Sequence, residues 1–405
     1  MKILYITAEG FDTPNPNNQM AEVMIRDFLD NGHKVHLIQS HRKGVNPDVP
    51  DSLNSRDGFS CDTIVRKVVD KTKFLKRYYN DVSYALKTVK YWKKVRDADV
   101  IYLQSNPTIV VLMVLLKLLK SSVPVVYSIY DVFPGHAYDI GVIKSKLVYN
   151  ALKIFQKPCY YLADAITVLS EDMKQKVVEQ GAKAANVFVV PAWFDVKTVK
   201  EISPEENRFI EKYRIPQDKF YIQFAGTVGY VFNYITVIEL AKRLKDEKEI
   251  VIQIVGDGNV KEDFIAKVEE LGLKNIEFYP LQPIEIVPDV YSACNLCIIP
   301  LQKGVIGNGV PSKAPILMAC KRVIVNSVEP DSQYARIFAE NNMGVSVGID
   351  DYDRLAQAVK DLYKSPEKIK LMAENAYKYG KENYSSSLST RKIMDVFEKI
   401  GRKDK

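Results

Sequence analysis

Residues 295–326 constrain the fold more than any other stretch, because an apolar run, a glycine-rich loop, a short helix and a second apolar run follow one another there. Residues 296–301 are apolar and end at a break, which predicts a buried strand. A helix from Ser312 to about residue 321 and a strand over residues 322–326 complete the unit. Such a strand–loop–helix–strand unit predicts a parallel sheet. The loop carries three glycines and two lysines, namely Gly304, Gly307, Gly309, Lys303 and Lys313.

The predicted start of this helix has the chemistry of a phosphate site. Ser312 is placed to cap the helix, and Pro315 falls in the first turn, where its missing N–H costs little. Unpaired N–H groups and the positive end of the helix dipole would favour an anion at this position. A plain strand-to-helix turn with a convenient cap explains the stretch equally well, so both interpretations stay open here.

The same alternation of apolar strands and helices recurs along the 405 residues, a length that predicts two domains. We therefore expect an α/β protein with two doubly wound, Rossmann-like domains that face each other across a cleft. The expected boundaries are 1–195 and 196–384, with a C-terminal helix in residues 385–405 that packs back on the first domain. Residues 41–60 are predicted to form a loop. The predicted strands are 2–7, 35–38, 100–103, 124–129, 165–169, 187–191, 220–224, 250–255, 276–279, 296–301, 323–326 and 344–347.

Composition and charge narrow the class of protein. Hydrophobic residues make up 47% and charged residues 26% of the chain, as in soluble globular proteins. The net charge of +7 favours phosphorylated substrates or an anionic membrane surface over nucleic acid. The five cysteines lack the spacing of a zinc site and are expected to be buried or inert thiols of a reducing cytoplasm. No apolar stretch has the length of a membrane span or a signal peptide.

A basic segment over residues 66–96 combines lysines and arginines with tyrosines and a tryptophan, and an apolar helix is predicted beside it over residues 108–119. A solvated helical face whose aromatic side chains pack inward is the simpler interpretation. The alternative is a surface that rests on anionic lipid.

Two candidate catalytic side chains, Asp131 and His136, follow the predicted strand 124–129 at its C-terminal end. Parallel sheets keep their functional groups at this end of the strands. A carboxylate that only accepts hydrogen bonds from nearby N–H groups is the simpler interpretation of Asp131. The glycine fingerprint of dinucleotide-binding folds is absent after the first strand, so a nicotinamide cofactor is not favoured.

An ordered set of motifs resembles the retaining glycosyltransferases of family four, which have the GT-B fold, and most closely those of bacterial capsule, exopolysaccharide, lipopolysaccharide and O-antigen synthesis. The match covers nearly the whole chain, and each motif alone is weak. The motifs are N-G-H-K-V at 31–35, Y-D-V-F-P at 130–134, V-V-P-A-W-F-D at 189–195, F-A-G-T-V-G at 224–229, I-V-G-D-G at 254–258, N-I-E-F-Y-P-L at 275–281 and P-S-K at 311–313.

The resemblance implies a metal-independent transferase without a cofactor, which moves a hexosyl or N-acetylhexosaminyl group with retention of configuration. The donor would be a nucleoside-diphosphate sugar on the C-terminal domain, and the acceptor a lipid-linked or growing polysaccharide on the N-terminal domain. We separately hypothesise a cytoplasmic enzyme in peripheral contact with the inner face of the membrane, based on the basic segment 66–96. Asp131 and His136 would contact the sugar or the acceptor hydroxyl. The implied donor-binding residues are Gly226, Thr227, Gly229, Gly256, Asp257, Leu281, Lys303, Asn308, Gly309, Ser312 and Lys313.

The chain departs from the family pattern at several positions. The two glutamates that the family places eight residues apart fall on Asn308 and Ile316, and the glycine pair of its first loop falls on Asn17 and Asn18. Two alternatives to a transferase follow, and both share the architecture. One is a nucleotide-sugar epimerase, and the other is a degenerate, non-catalytic protein that binds sugar nucleotides.

Overall fold

Two parallel sheets form the frame of the computed structural model, which describes residues 1–11, 16–44, 49–67, 74–105, 109–119, 121–195 and 198–401. The first sheet contains β1 Lys2–Ile6, β2 Lys34–Arg42, β3 Phe59–Arg66, β4 Val100–Gln104, β5 Val125–Ile129, β6 Ala165–Val168 and β7 Val187–Val189. Its strand order is β3-β2-β1-β4-β5-β6-β7, and every ladder is parallel. We call this sheet and its helices the first domain.

The second domain repeats the plan with six strands. They are β8 Phe220–Ala225, β9 Ile250–Val255, β10 Ile276–Tyr279, β11 Leu296–Pro300, β12 Val323–Ser327 and β13 Gly344–Val347. The order β10-β9-β8-β11-β12-β13 reverses direction between β8 and β11, as the first sheet does between β1 and β4. Ligands bind outside the carboxyl ends of the strands at such reversals. The predicted α/β class with two doubly wound domains is therefore confirmed.

Helices cover both faces of each sheet because the central strands are buried on both sides, β4, β5 and β11 along their full length. The helices are α1 Pro16–Asp30, α2 Asp51–Asn54, α3 Phe74–Thr88, α4 Trp92–Asp97, α5 Ile109–Leu118, α6 Gly135–Asp139, α7 Lys146–Leu162, α8 Glu171–Glu179, α9 Arg208–Tyr213, α10 Tyr234–Leu244, α11 Lys261–Glu270, α12 Val287–Ser292, α13 Lys313–Ala319, α14 Gln333–Glu340, α15 Tyr352–Tyr363, α16 Pro366–Asn383 and α17 Ser386–Gly401. None of the described helices is both long and apolar enough to cross a bilayer.

The prediction of a loop over residues 41–60 was wrong at both ends. β2 continues to Arg42, α2 occupies part of the segment, and β3 begins at Phe59. β3 is an edge strand in which only Ile64 is buried, so it lacks the apolar run by which the inner strands are recognised. In the predicted basic segment and the apolar helix after it, residues 68–73 and 108 lie outside the described residues.

The last helix, α17, lies on the first domain although it follows the second in sequence. Phe397 is fully buried, with its ring centroid 5.7 Å from that of Phe28 and 5.9 Å from that of Tyr102. Thr390 Oγ1 donates a hydrogen bond of 3.1 Å to Asp27 Oδ2. The chain thus crosses twice between the domains.

Replacing Phe397 by alanine should destabilise the first domain by roughly 3–5 kcal/mol, the usual cost of emptying a buried phenylalanine site. Both tryptophans, Trp92 and Trp193, belong to this domain, so the loss can be followed by tryptophan fluorescence during urea unfolding. Leu371→Ala, which truncates an exposed side chain on α16, is the matched control and should change the midpoint little. Equal midpoints for Phe397→Ala and the wild type would contradict the packing described for α17.

Candidate active site

The loops that follow β8 and β9 pack backbone against backbone. Gly226 and Gly256 have φ values of +140° and +151°, which favour glycine. A Cβ atom on Gly256 would collide with the carbonyl oxygen of Gly226, and one on Gly258 would collide with that of Val228. The N–H of Gly226 donates to the carbonyl of Val255 at 2.9 Å, which ties the loop after β8 to the end of β9. The two loops therefore form one rigid unit.

Lys313, the first residue of α13, brings a cation to this unit. Its Nζ lies 3.6 Å from the centroid of the Phe224 ring and 3.0 Å from where a Cβ of Gly226 would be. Within the described part of the chain, Nζ has no hydrogen-bonding or ion-pair partner. The residue is partly buried. Burial lowers the pKa of Lys313 from 10.5 to about 7, and Cys297 opposes that shift. A lysine that has no anionic partner in the described part of the chain thus lies at the reversal between β8 and β11.

The loop that the Lys313 ammonium group contacts at Gly226 also contains backbone N–H groups without an acceptor among the described residues. The N–H of Val228 donates to the carbonyl of Asp257 at 2.9 Å, but the N–H groups of Thr227 and Gly229 have no partner among the described residues. Two free N–H groups and a neighbouring cation suit a phosphate. Asp257 itself accepts a hydrogen bond of 2.8 Å from the N–H of Gly258 and is otherwise exposed.

The glycine loop after β11 offers fewer donors than the sequence predicted. The N–H of Gly304 donates to Glu329 Oε1 at 2.6 Å. The N–H groups of Asn308 and Gly309 both donate to the carbonyl of Val305, at 3.1 and 2.9 Å. These three N–H groups therefore already donate to acceptors within the second domain. A phosphate at this loop would have to displace those acceptors.

The predicted side-chain cap at Ser312 was wrong. Ser312 has helical dihedral angles and its side chain makes no capping hydrogen bond. The two N–H groups that a cap serves are not available, since Ala314 donates to the carbonyl of Pro311 at 2.9 Å and Pro315 has no N–H. α13 also has only seven residues, so the charge of Lys313 rather than a helix end is the feature that suits an anion.

Asn308 joins the two domains instead of facing open space. Its Nδ2 donates to Asp139 Oδ2 at 2.5 Å and to the carbonyl of Gly304 at 2.8 Å. Its own carbonyl accepts a hydrogen bond of 2.7 Å from the N–H of Val132. The side chain is buried, and Oδ1 has no partner among the described residues. The loop after β11 therefore faces the gap between the domains and closes it at this point.

Asp131 and His136 lie in the same gap, on the side of the first domain. His136 Nε2 is 3.9 Å from Asp131 Oδ1, and a Cβ on Gly309 would lie 3.0 Å from that same oxygen. The surrounding protein raises the pKa of Asp131, while His136 opposes the rise. Water still reaches the carboxylate, since 62% of the side chain is exposed. His136 Nδ1 is buried without a partner in the described chain.

Most of the candidate residues thus fall into two groups. Gly226, Thr227, Gly229, Gly256, Asp257 and Lys313 form the cradle after β8, whereas Asn308 and Gly309 contact the first domain beside Asp131 and His136. Leu281 and Lys303 are exposed, and no hydrogen bond or ion pair among the described residues joins either to these groups.

Three further residues of this region, Phe224, Asp139 and Lys261, have no sequence pattern that marks them as site residues. Lys261 Nζ donates to the carbonyl of Gly256 at 2.6 Å and so braces the second glycine loop. A cavity of 370 Å³ lies at the opposite, N-terminal ends of β1 and β2, and its lining includes Lys2, His36 and Lys94. It is remote from both groups of candidate residues.

Solved structures similar over the whole chain show the same two-domain fold. The sucrose-phosphate synthase of Thermosynechococcus elongatus has a TM-score of 0.75 at 14% identity, with 98% of each chain covered. HepE of Anabaena, solved in complex with UDP and glucose, has a TM-score of 0.73 at 14% identity, with 98% of this chain and 99% of that chain covered. Residues 19–198 match the family described as "Glycosyltransferase Family 4", and residues 205–379 match "Glycosyl transferases group 1". The chain is a GT-B glycosyltransferase.

Relatives of this glycosyltransferase include bacterial enzymes. The probable glycosyltransferase WbjE of Pseudomonas aeruginosa is 25% identical over 297 residues, which are 72% of this chain and 73% of the relative. WcaI of Escherichia coli (strain K12), a glycosyl transferase named for colanic acid biosynthesis, is 24% identical over 197 residues, or 48% of each chain.

Replacing Lys313 by methionine removes a cation that is costly to bury. Because the folded-state pKa is lowered from 10.5 to about 7, the unfolded chain binds more protons than the folded chain between these pH values. Wild-type stability then rises with pH across that window. We expect Lys313→Met to be more stable than the wild type at and below about pH 7, with an advantage that shrinks as the pH rises towards about 10.

Thermal unfolding of both proteins across this pH range measures the effect. Lys274→Met, at an exposed lysine of the second domain, is the control and should track the wild type at every pH. A difference between Lys313→Met and the wild type that does not change with pH would show that Lys313 keeps an ordinary pKa.

Proposed function

We propose that this glycosyltransferase moves a hexosyl or N-acetylhexosaminyl group from a nucleoside-diphosphate sugar to a lipid-linked or growing polysaccharide acceptor. The observation that carries the proposal is the contact of the Lys313 ammonium group with Gly226, in a loop where the N–H groups of Thr227 and Gly229 have no acceptor among the described residues. The name of WcaI, which refers to colanic acid biosynthesis, supports an acceptor of the bacterial surface-polysaccharide type. In this proposal residues 196–384 bind the donor and residues 1–195 bind the acceptor.

The cradle would act on the leaving group. Transfer from a sugar nucleotide releases a diphosphate, and preorganised donors aimed at that developing charge lower the barrier. Lys313 would supply the charge, with Thr227 and Gly229 donating their N–H groups to the phosphate oxygens. Leu281, exposed just beyond β10, would line the base pocket with Gly256 and Asp257. We propose that the reaction needs no metal ion and retains the anomeric configuration.

The first domain would contribute the groups that face the acceptor. Asp131 and His136 lie across the gap from Gly309, and the raised pKa of Asp131 suits a group that exchanges a proton with a hydroxyl. Asn308 stands at the position of one family glutamate and has an amide oxygen without a partner in the described chain. We propose that this oxygen contacts the donor sugar once the sugar enters the gap. Lys303 and Ser312 would lie at the periphery of the donor site.

Incubation of the protein with UDP-, GDP- and dTDP-sugars, with and without a bacterial lipid extract, tests the proposal. Release of free nucleoside diphosphate together with transfer to lipid, or with slow hydrolysis, is the expected result. An isomeric sugar nucleotide as the product would identify an epimerase. Binding without turnover in the presence of the extract would identify a non-catalytic protein.

Lys313→Ala should weaken binding of the nucleoside diphosphate by about 1–3 kcal/mol, or roughly 5- to 150-fold, the range for a charge-assisted contact. Titration calorimetry with UDP, GDP and dTDP measures the dissociation constants. Wild-type affinity should also fall as the pH rises above about 7, because the free lysine then loses its proton. Lys274→Ala is the control, and an unchanged affinity in Lys313→Ala would remove this lysine from the site.

We also propose a cytoplasmic enzyme in peripheral contact with the inner face of the membrane. A lipid-linked acceptor requires the site to lie within reach of a bilayer. The basic and apolar segments recognised in the sequence belong to α3, α4 and α5 of the first domain, which is the domain that carries Asp131 and His136.

A further inference from the structure

Helix α7 turns an apolar stripe towards solvent. Leu147, Ile154 and Tyr161 recur at the spacing of two helical turns, and they are 82%, 68% and 62% exposed. The opposite face of α7 is buried, with Cys159 and Tyr160 in the core of the first domain. An amphipathic surface helix normally turns its apolar stripe to the core and a polar face to water. The outer stripe of α7 is therefore surplus to folding.

The two neighbouring helices extend this stripe into a surface. α5 packs beside α7, and α3 packs beside α5. The buried sides of all three helices belong to one core cluster, so their outer sides point away from the same face of the sheet. The strongly exposed apolar side chains on these outer sides are Tyr79 and Leu86 on α3, Leu118 on α5, and Leu147, Ile154 and Tyr161 on α7. We call these six side chains the apolar face.

Positive charge surrounds the apolar face. Residues 142–162 contain four lysines and no acidic residue: Lys144, Lys146, Lys153 and Lys157. Exposed lysines also lie on α3, at Lys76 and Lys87, and just after it, at Lys90. Lysines can rest their aliphatic stems on an apolar surface while their ammonium groups reach phosphate headgroups. Apolar side chains in the middle and cations around them match the boundary of an anionic bilayer.

The apolar face is connected to the candidate active site through the chain itself. α6, which contains His136, leads within a few residues into α7. The ring of Tyr138 on α6 stacks on that of Tyr149 on α7, with centroids 4.4 Å apart. The helix with the most exposed apolar stripe is thus fixed to the segment that contains a proposed acceptor-facing residue.

We propose that the apolar face is the surface by which the enzyme docks on an anionic bilayer leaflet, with α7 lying in the headgroup region. The inference deepens the proposed function, on which its link to a lipid-linked acceptor rests, by naming the docking surface. In this proposal the main contact with the bilayer is made by α7 and not by the basic segment 66–96. Docking needs neither donor nor acceptor, so its failure and the failure of the transferase activity are separate results.

Co-sedimentation of the full-length protein with vesicles tests the proposal. One set contains phosphatidylcholine alone, and the other also contains about 30 mol% phosphatidylglycerol. The wild type should sediment with the anionic vesicles at low salt and bind the neutral vesicles much more weakly. Leu147→Ser/Ile154→Ser should bind the anionic vesicles at least roughly ten-fold more weakly. Leu371→Ser, at an exposed leucine of α16, is the matched control and should bind like the wild type.

Two charge-reversal variants keep the test decisive if the serine variant folds poorly. Lys153→Glu/Lys157→Glu on α7 should lose binding to anionic vesicles, whereas Lys368→Glu/Lys370→Glu on α16 should retain it. Tryptophan fluorescence confirms that each variant is folded. The proposal is overturned if the wild type ignores anionic vesicles, or if folded α7 variants bind as tightly as their α16 controls.

Discussion

Backbone contact between two glycines determines where the charge of the proposed donor site lies. Gly256 has no side chain, so the carbonyl of Gly226 can approach it, and this contact sets the path of the loop after β8. Gly226 has no side chain either, so the ammonium group of Lys313 can lie against its Cα. A methyl group at Gly256 would push the loop away, and one at Gly226 would press on the cation. Two missing side chains therefore permit a partly buried charge against a loop whose Thr227 and Gly229 N–H groups have no acceptor among the described residues.

The strand–loop–helix unit from β11 to α13 serves both domains. Its last part gives Lys313 to the cradle of the second domain, and its loop gives Asn308 and Gly309 to the first. The N–H groups of that loop are consumed by Val305 and Glu329, which hold the loop in the shape that reaches Asp139. Because one rigid unit contacts both domains, a ligand that moves Lys313 would also disturb the closure of the gap.

Sequence patterns predicted the inner strands because burial on both faces requires continuous apolar runs, and all six strands of the second domain lie where they were expected. β3 was not predicted because it is an edge strand with a single buried residue, Ile64.

The glycines of the cradle were predicted as site residues, since their motif is local. The partners of Lys313 and Asn308 were not, because Phe224 and Asp139 lie far away in sequence and only the tertiary fold brings them close. The cap predicted at Ser312 does not form, in part because Pro315 has no N–H to donate to the serine side chain.

The apolar face would add a hydrophobic contribution to the free energy with which the enzyme binds a bilayer. Fully burying a leucine or isoleucine contributes about 1.5–3 kcal/mol, whereas a lysine near an anionic surface contributes about 1 kcal/mol. Leu147 and Ile154 together could therefore match several of the lysines around them. Salt screens only the ionic part, so attachment through α7 would weaken at high salt without disappearing. A solvated basic helix without the stripe would lose its contact entirely under the same conditions. The apolar stripe, rather than the net charge of the chain, is what distinguishes a docking surface from a merely cationic one.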